Sequence, residues 1–434
     1  MDYLNRRQLF GAALAAGSLA AWRPAHSSAQ VPSLPPGTHT PHDTAYWDAV
    51  AAQFDVSNAV IQLENGNFGT MARPVVAAYG RYTAMVNEQG SYYARRSYAA
   101  DFARIRARTA SALGVGVDEI GFTRGATEAL MSLIGGYQRL RAGDALLCAD
   151  LDYDSTLAAF EQLRSRRGVQ LIQLALPEPA THQGLIDAYA AALAAHPNIR
   201  LVLLTHVSHR TGLVLPVAQI VELARAHGAD VIVDSAHAWG QLDFRLPDLQ
   251  ADFVALTAQK WIGAPLGVGL FYIRRGRAQD IAIALGDAAE ATDPVDRRVH
   301  TGTANYAAFL ALADALDFHE RIGARAKETR LRHLRDRWAE QLRGHDGIEV
   351  LTPADPRLTC GITSFRLRGL TTPRDNATVA AQLLQRFNIF TVERSGVARG
   401  ACVRVTPAIF TPEAYIDHLV TALKSLGPAL AAHV

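Results

Sequence analysis

From about residue 100 the chain repeats one pattern: a short apolar run, a segment of helical period, then another apolar run. Apolar runs fall at residues 145–149, 170–176, 201–205, 231–233, 253–257 and 268–273. Most lack the polar alternation of a half-solvated strand, so they read as strands buried on both faces. Residues 103–113, 186–195 and 216–227 read as helices, the last stopped by Gly228. Buried strands separated by helices predict an α/β fold, a mainly parallel sheet of about seven strands covered on both faces. Residues 307–343, amphipathic and rich in Arg, read as long helix. Beyond residue 348 the elements shorten: strands at 362–367, 389–392 and 401–405, a helix near 377–387, and a last helix from 411. The expected layout is an N-terminal arm at 30–60, a large domain at 61–304, and the long helix with a smaller α+β domain at 305–434. A chain of 434 residues that is 49% hydrophobic can fill cores of that size.

Residues 1–29 read as an export signal. Arg6 and Arg7 precede an apolar run at 9–22, and Ser27-Ser28-Ala29 offers a cleavage site before Gln30. The paired arginines resemble a twin-arginine signal, which the twin-arginine export machinery reads on proteins already folded in the cytoplasm. A periplasmic location is therefore expected. An ordinary secretory signal or an uncleaved anchor is the alternative. Four prolines between residues 30 and 45 mark an irregular linker. Without residues 1–29 the chain carries 40 basic and 40 acidic residues, a poor basis for nucleic-acid binding. Its three cysteines, Cys148, Cys360 and Cys402, are far apart and suggest neither a disulfide framework nor a metal site.

Several nucleotide and hydrolase signatures are absent: Gly114, Gly116 and Gly121 are wrongly spaced for G-x-G-x-x-G, and no G-x-x-x-x-G-K-[ST], H-E-x-x-H or G-x-S-x-G occurs. Other residues carry chemistry. Only three lysines occur among 43 basic residues, and one of them, Lys260, follows the apolar run at 253–257. Arg cannot lose its proton, whereas a partly desolvated Lys can, and then attacks a carbonyl. On position alone this reading stands level with a lysine snorkelling at a strand end. Asp234 ends the run at 231–233, at the sheet edge where ligands bind in open α/β folds. Gly125, Ala126 and Thr127 open a helix, and N–H groups at a helix start bind phosphate. Together these make a phosphate cradle, a carboxylate and a reactive amine, the set that pyridoxal 5'-phosphate needs.

The order Gly125-Ala126-Thr127-Glu128-Ala129, then Asp234-Ser235-Ala236-His237, then Gln259-Lys260 before a glycine-rich strand resembles the class V aminotransferase group of fold-type-I pyridoxal phosphate enzymes. The resemblance spans about residues 63–426. Residues 63–69 (Leu63-Glu64-Asn65-Gly66-Asn67-Phe68-Gly69) and 403–407 (Val403-Arg404-Val405-Thr406-Pro407) are most similar to its isopenicillin N epimerase-like branch. The resemblance implies roles. Tyr153 would stack on the cofactor ring. His209 stands where relatives have Asn beside the phenolic oxygen, and His237 would sit near the same atom. Thr257 would contact the phosphate, and Gln259 replaces a frequent His. Thr303 would reach the phosphate of a partner subunit, which implies a homodimer. Arg404 would clamp the α-carboxylate of an amino-acid substrate. Asn67, Phe68 and residues 92–96 would line the entrance.

The catalytic residues expected are Lys260, Asp234 and His209, and no metal is expected. Within this group a desulfurase needs a loop cysteine, yet residues 393–401 contain none, and Cys402 sits in a strand pattern. The expected activity is that of an aminotransferase or epimerase acting at Cα. A Cα–Sγ or C–C lyase of the same fold is the alternative. An exported, non-catalytic ligand-binding protein is the alternative of another class.

Overall fold

Thirteen strands form in a computed structural model that describes residues 34–431, apart from 36, 38 and 288–294. The export signal read at residues 1–29 lies outside the described residues. In chain order the strands are β1 (Ile61–Gln62), β2 (Ile120–Thr123), β3 (Ala145–Ala149), β4 (Gln170–Leu174), β5 (Ile199–Thr205), β6 (Asp230–Asp234), β7 (Phe253–Thr257), β8 (Gly269–Ile273), β9 (Ile348–Val350), β10 (Thr363–Leu367), β11 (Ile389–Phe390), β12 (Val392–Arg394) and β13 (Cys402–Val405).

Seven of them make one sheet in the order β2-β8-β7-β6-β5-β3-β4. The neighbours from β7 to β4 pair in parallel, and β8 runs antiparallel to both β7 and β2. Successive side chains of a strand face opposite ways, and both faces here are buried. Leu147, Val202, Val233 and Leu256 belong to one apolar cluster; Leu146, Leu201, Ile232 and Ala255 belong to another. The first is closed by the helix Tyr306–Ile322, the second by the helix Ala126–Gly136. This is the expected α/β sheet, covered on both faces.

Several elements differ from expectation; the strand read at 389–392 is β11 and β12, which belong to separate sheets, and β2 was not foreseen. The span 307–343 is two helices, Tyr306–Ile322 and Ala324–Leu342, because Gly323 adopts φ 92° between them. A 24-residue helix, Arg73–Arg96, bends at Gly90, where φ is 51°. The arm before residue 60 contains a helix, Thr44–Ala51, whose Trp47 is buried.

The C-terminal strands form an antiparallel sheet, β12-β13-β10-β9, over a third cluster built on Trp338, Phe365, Leu383 and Leu423. Leu63 joins that cluster, and β1 pairs in parallel with β11. Residues 61–65 therefore pack with strands that come much later in the sequence. We propose a domain boundary near residue 305, between the two sheets, crossed by this segment.

Candidate active site

Parallel strands end on a common edge, and the loops leaving that edge converge. Thr205, Asp234 and Thr257 are the last residues of β5, β6 and β7. They line a cavity of about 410 Å³. Asn67, Gly125, Ala126, Thr127, Tyr153, His209, His237, Gln259, Lys260 and Arg404 line it as well. Phe68 lies outside it, 51% exposed, and Thr303 is an exposed residue elsewhere. Residues 92–96 end the helix Arg73–Arg96 and do not reach the lining.

The cradle is a bare helix start. Gly125 caps the helix Ala126–Gly136 without any side-chain hydrogen bond, so the first N–H groups keep their donor capacity. Glu128, in the first turn, is engaged by the backbone N–H of Arg124 at 2.7 Å. Gln259 accepts from Gly267 N through Oε1 at 2.7 Å, which leaves its amide N–H₂ on the cradle side, 3.8 Å from where a Gly125 Cβ would stand. Thr257 Oγ1 donates to Val268 O at 3.2 Å. Gly269 lies so close behind Gly125 that no side chain fits between them.

Asp234 is 7% exposed, and its Oδ1 accepts from Ala236 N at 2.9 Å. Burial raises its pKa, opposed by that hydrogen bond and by Lys260. Lys260 Nζ is 3.0 Å from His237 Nε2. Burial above all, aided by Arg404 and Arg394 and opposed by Asp234 and Glu64, pulls the lysine pKa down to about 8. Burial also drives His209 and His237 well below the ordinary imidazole range, and nearby cations add to it, so both rings are neutral at pH 7. The ring of His209 meets that of Tyr153 edge-on at 5.3 Å.

Arg404 is 1% exposed, and burial lowers its pKa to about 10. It donates from Nη2 to Glu64 Oε1 at 2.5 Å and from Nη1 to His209 O at 2.6 Å. A Cβ on Gly66 would stand 2.8 Å from Nη2, so the segment at 64–66 fits this guanidinium closely. Arg394 shares Glu64 Oε1 at 3.5 Å, and Arg210 pairs with Asp154 at 2.7 Å. Arg210, Asp154, Glu393, Arg394 and Ser395 line the cavity, and sequence reasoning missed them as a group. In sequence, residues 393–395 stand out only for the cysteine they lack. No cysteine lines the cavity: all three are buried, and burial pushes the Cys402 thiol up to about 11.

These donors fit pyridoxal 5'-phosphate. An uncapped helix start suits the phosphate, a buried carboxylate with no ion-pair partner among the described residues suits a pyridinium nitrogen, and an amine of lowered pKa suits the aldehyde.

A family model for aminotransferase class-V matches residues 70–396. The isopenicillin N epimerase of Streptomyces clavuligerus is 29% identical over 401 residues, covering 88% of this chain and 98% of that protein. A probable cysteine desulfurase of Xylella fastidiosa is 26% identical over 404 residues, covering 87% of this chain and 94% of that one. The solved apo structure of a cysteine desulfurase from Thermococcus onnurineus NA1 has the same fold, with a TM-score of 0.75 at 22% identity over 91% of this chain and 99% of that one. The chain belongs to the aminotransferase class-V family and is a pyridoxal phosphate-dependent enzyme.

Proposed function

We propose that the protein acts at the Cα of an amino-acid substrate, as an epimerase or aminotransferase of the isopenicillin N epimerase-like kind. One observation carries this reading: Lys260, Asp234 and Arg404 share a cavity whose lining holds no cysteine. The cofactor, when bound, supplies an electron sink for the negative charge that develops at Cα. Lys260 Nζ takes the Cα proton and returns it. A lysine pKa of about 8 leaves roughly a tenth of the amine free at pH 7, enough to serve as base and acid in turn. Arg404 orients the α-carboxylate with the Nη hydrogens that Glu64 and the His209 carbonyl leave over. Asp234 supplies the buried negative charge for the ring nitrogen. Tyr153 and His209 line the same cavity and are the groups available to deliver a proton from a second direction.

A panel of L- and D-amino acids in D₂O tests the reading. Deuterium at Cα with inversion supports epimerisation, and a 2-oxo acid supports transamination. Release of sulfide or persulfide from cysteine or cystine would favour a lyase. No exchange with any amino acid would refute the proposal and favour a binding protein.

We also propose export of the folded protein to the periplasm by the twin-arginine machinery; Arg6→Lys with Arg7→Lys should leave it in the cytoplasm. A homodimer in which Thr303 reaches the partner's phosphate is proposed too. The exposure of Thr303 outside its own cavity supports that, and Thr303→Ala should weaken cofactor retention only in the dimer.

A further inference from the structure

We propose that Trp261 is a positioning residue: it fixes the tautomer of His237, so that His237 donates to Lys260 Nζ and favours the free-amine form of that lysine. The argument starts from an asymmetry of donors. An indole N–H donates and never accepts. Trp261 Nε1 lies 3.4 Å from His237 Nδ1, so Nδ1 is the acceptor. A neutral imidazole carries one proton, which must then sit on Nε2. Nε2 faces Lys260 Nζ at 3.0 Å. An ammonium offers only donors, so two donors would oppose each other across this contact. A neutral amine has a lone pair and accepts. Both His237 and Trp261 are buried, at 5% and 8% exposure, which shields the bond between them from water.

The backbone that carries the indole is itself held. Lys327, 4% exposed, donates from Nζ to the Trp261 carbonyl at 2.6 Å. Gly240 admits the Trp261–Ile262 backbone so closely that its Cβ would stand 2.7 Å from Trp261 C and Ile262 N. A line of fixed groups therefore runs from Lys327 through Trp261 and His237 to Lys260, and it involves two of the three lysines in the chain.

Burial acts on Lys260 most, and the charged groups around it pull both ways. Asp234 and Glu64 favour the ammonium, Arg394 and Arg404 oppose it, and His209 is neutral. The direction of the His237 hydrogen bond adds a bias that this mixed set lacks. The inference rests on Lys260 being the reacting amine. Its test reads lysine protonation rather than turnover, so its failure is distinguishable from failure of the amino-acid panel.

Cofactor-free protein is labelled with trace acetic anhydride from pH 6 to 10, and Lys260 acetylation is quantified by mass spectrometry against exposed Lys424. Trp261→Phe keeps the ring and loses the donor. It should move the Lys260 profile to higher pH by about one unit, about a tenfold loss of labelling at pH 7. In a His237→Phe background, adding Trp261→Phe should cause no further shift. An unmoved profile in folded Trp261→Phe would overturn the proposal, as would an equal shift in the His237→Phe background. Should Trp261→Phe fail to fold, ¹⁵N NMR of the unsubstituted protein decides. The His237 signal, assigned by its loss in His237→Phe, should report the Nε2–H form, and the Nδ1–H form would overturn the assignment.

Discussion

Gly269 has no chemistry of its own, yet its substitution is the sharpest test of the phosphate cradle. It opens β8, with Thr123 of β2 on one side and Thr257 of β7 on the other. A Cβ added there would stand 2.5 Å from Gly125 C and 2.7 Å from Gly125 N. These are backbone atoms, and no rotamer relieves them. Ordinary contact begins near 3.4 Å, so Gly269→Ala forces Gly125 back by roughly 1 Å. Gly125 caps the helix Ala126–Gly136, so the Ala126 and Thr127 N–H groups move with it. Losing one charge-assisted hydrogen bond to phosphate costs about 1.5–3 kcal/mol, or roughly 10- to 100-fold in affinity. Overpacking should also lower stability by about 1–3 kcal/mol, which urea unfolding measures separately. The assay is absorbance titration of cofactor-free protein with pyridoxal phosphate and with pyridoxal. The variant should lose most of its preference for the phosphorylated form and keep its affinity for pyridoxal within about threefold. A folded Gly269→Ala protein with an unchanged preference would refute the placement of the phosphate at this helix.

Three further substitutions probe the rest of the site. Glu64→Gln strips the buried Arg404 of its counter-charge and should cost on the order of 3–5 kcal/mol. Succinate should restore thermal stability in the variant more than in the unsubstituted protein; equal responses would mean that the guanidinium is not open to a carboxylate. Cys402→Ala should leave Cα deuterium exchange within about twofold, since Cys402 is fully buried and outside the cavity; loss of all turnover would return the desulfurase reading. Lys327 has its pKa lowered by burial from 10.5 to about 7. Between those values the unfolded chain holds a proton that the folded chain does not, so stability rises with pH across that window. Relative to Lys327→Met, the unsubstituted protein should gain on the order of 4 kcal/mol from pH 7 to pH 10 in denaturant titrations. A difference that does not change with pH would refute the burial argument.

What the sequence disclosed and what it concealed follow one physical line. Strands such as β5 and β6 were legible because burial on both faces leaves an unbroken apolar run. β2 was not, because Gly121 interrupts its run where the Phe271 ring presses against the strand. The break at Gly323 was masked by a helical period that continues on either side. In the cavity, Lys260 and Asp234 were legible because each is chemically odd for its place, a lysine in a chain of forty arginines and a carboxylate ending a buried strand. Glu64, Arg210 and Arg394 were not. Glu64 meets Arg404 across 340 residues, and Arg210 meets Asp154 across 56. No local pattern marks such pairs. The division has a cause. A charge that is given a partner, as those of Arg404, Arg394 and Arg210 are here, looks like any other member of an ion pair. The two charges that stood out in the sequence are left without one. Among the described residues Asp234 and Lys260 enter no ion pair, although Asp234 is buried and Lys260 half-buried at the same sheet edge. Leaving a buried carboxylate and a partly desolvated amine unmatched is costly for folding. The fold tolerates that cost where a bound group with the complementary charge and an aldehyde would remove it.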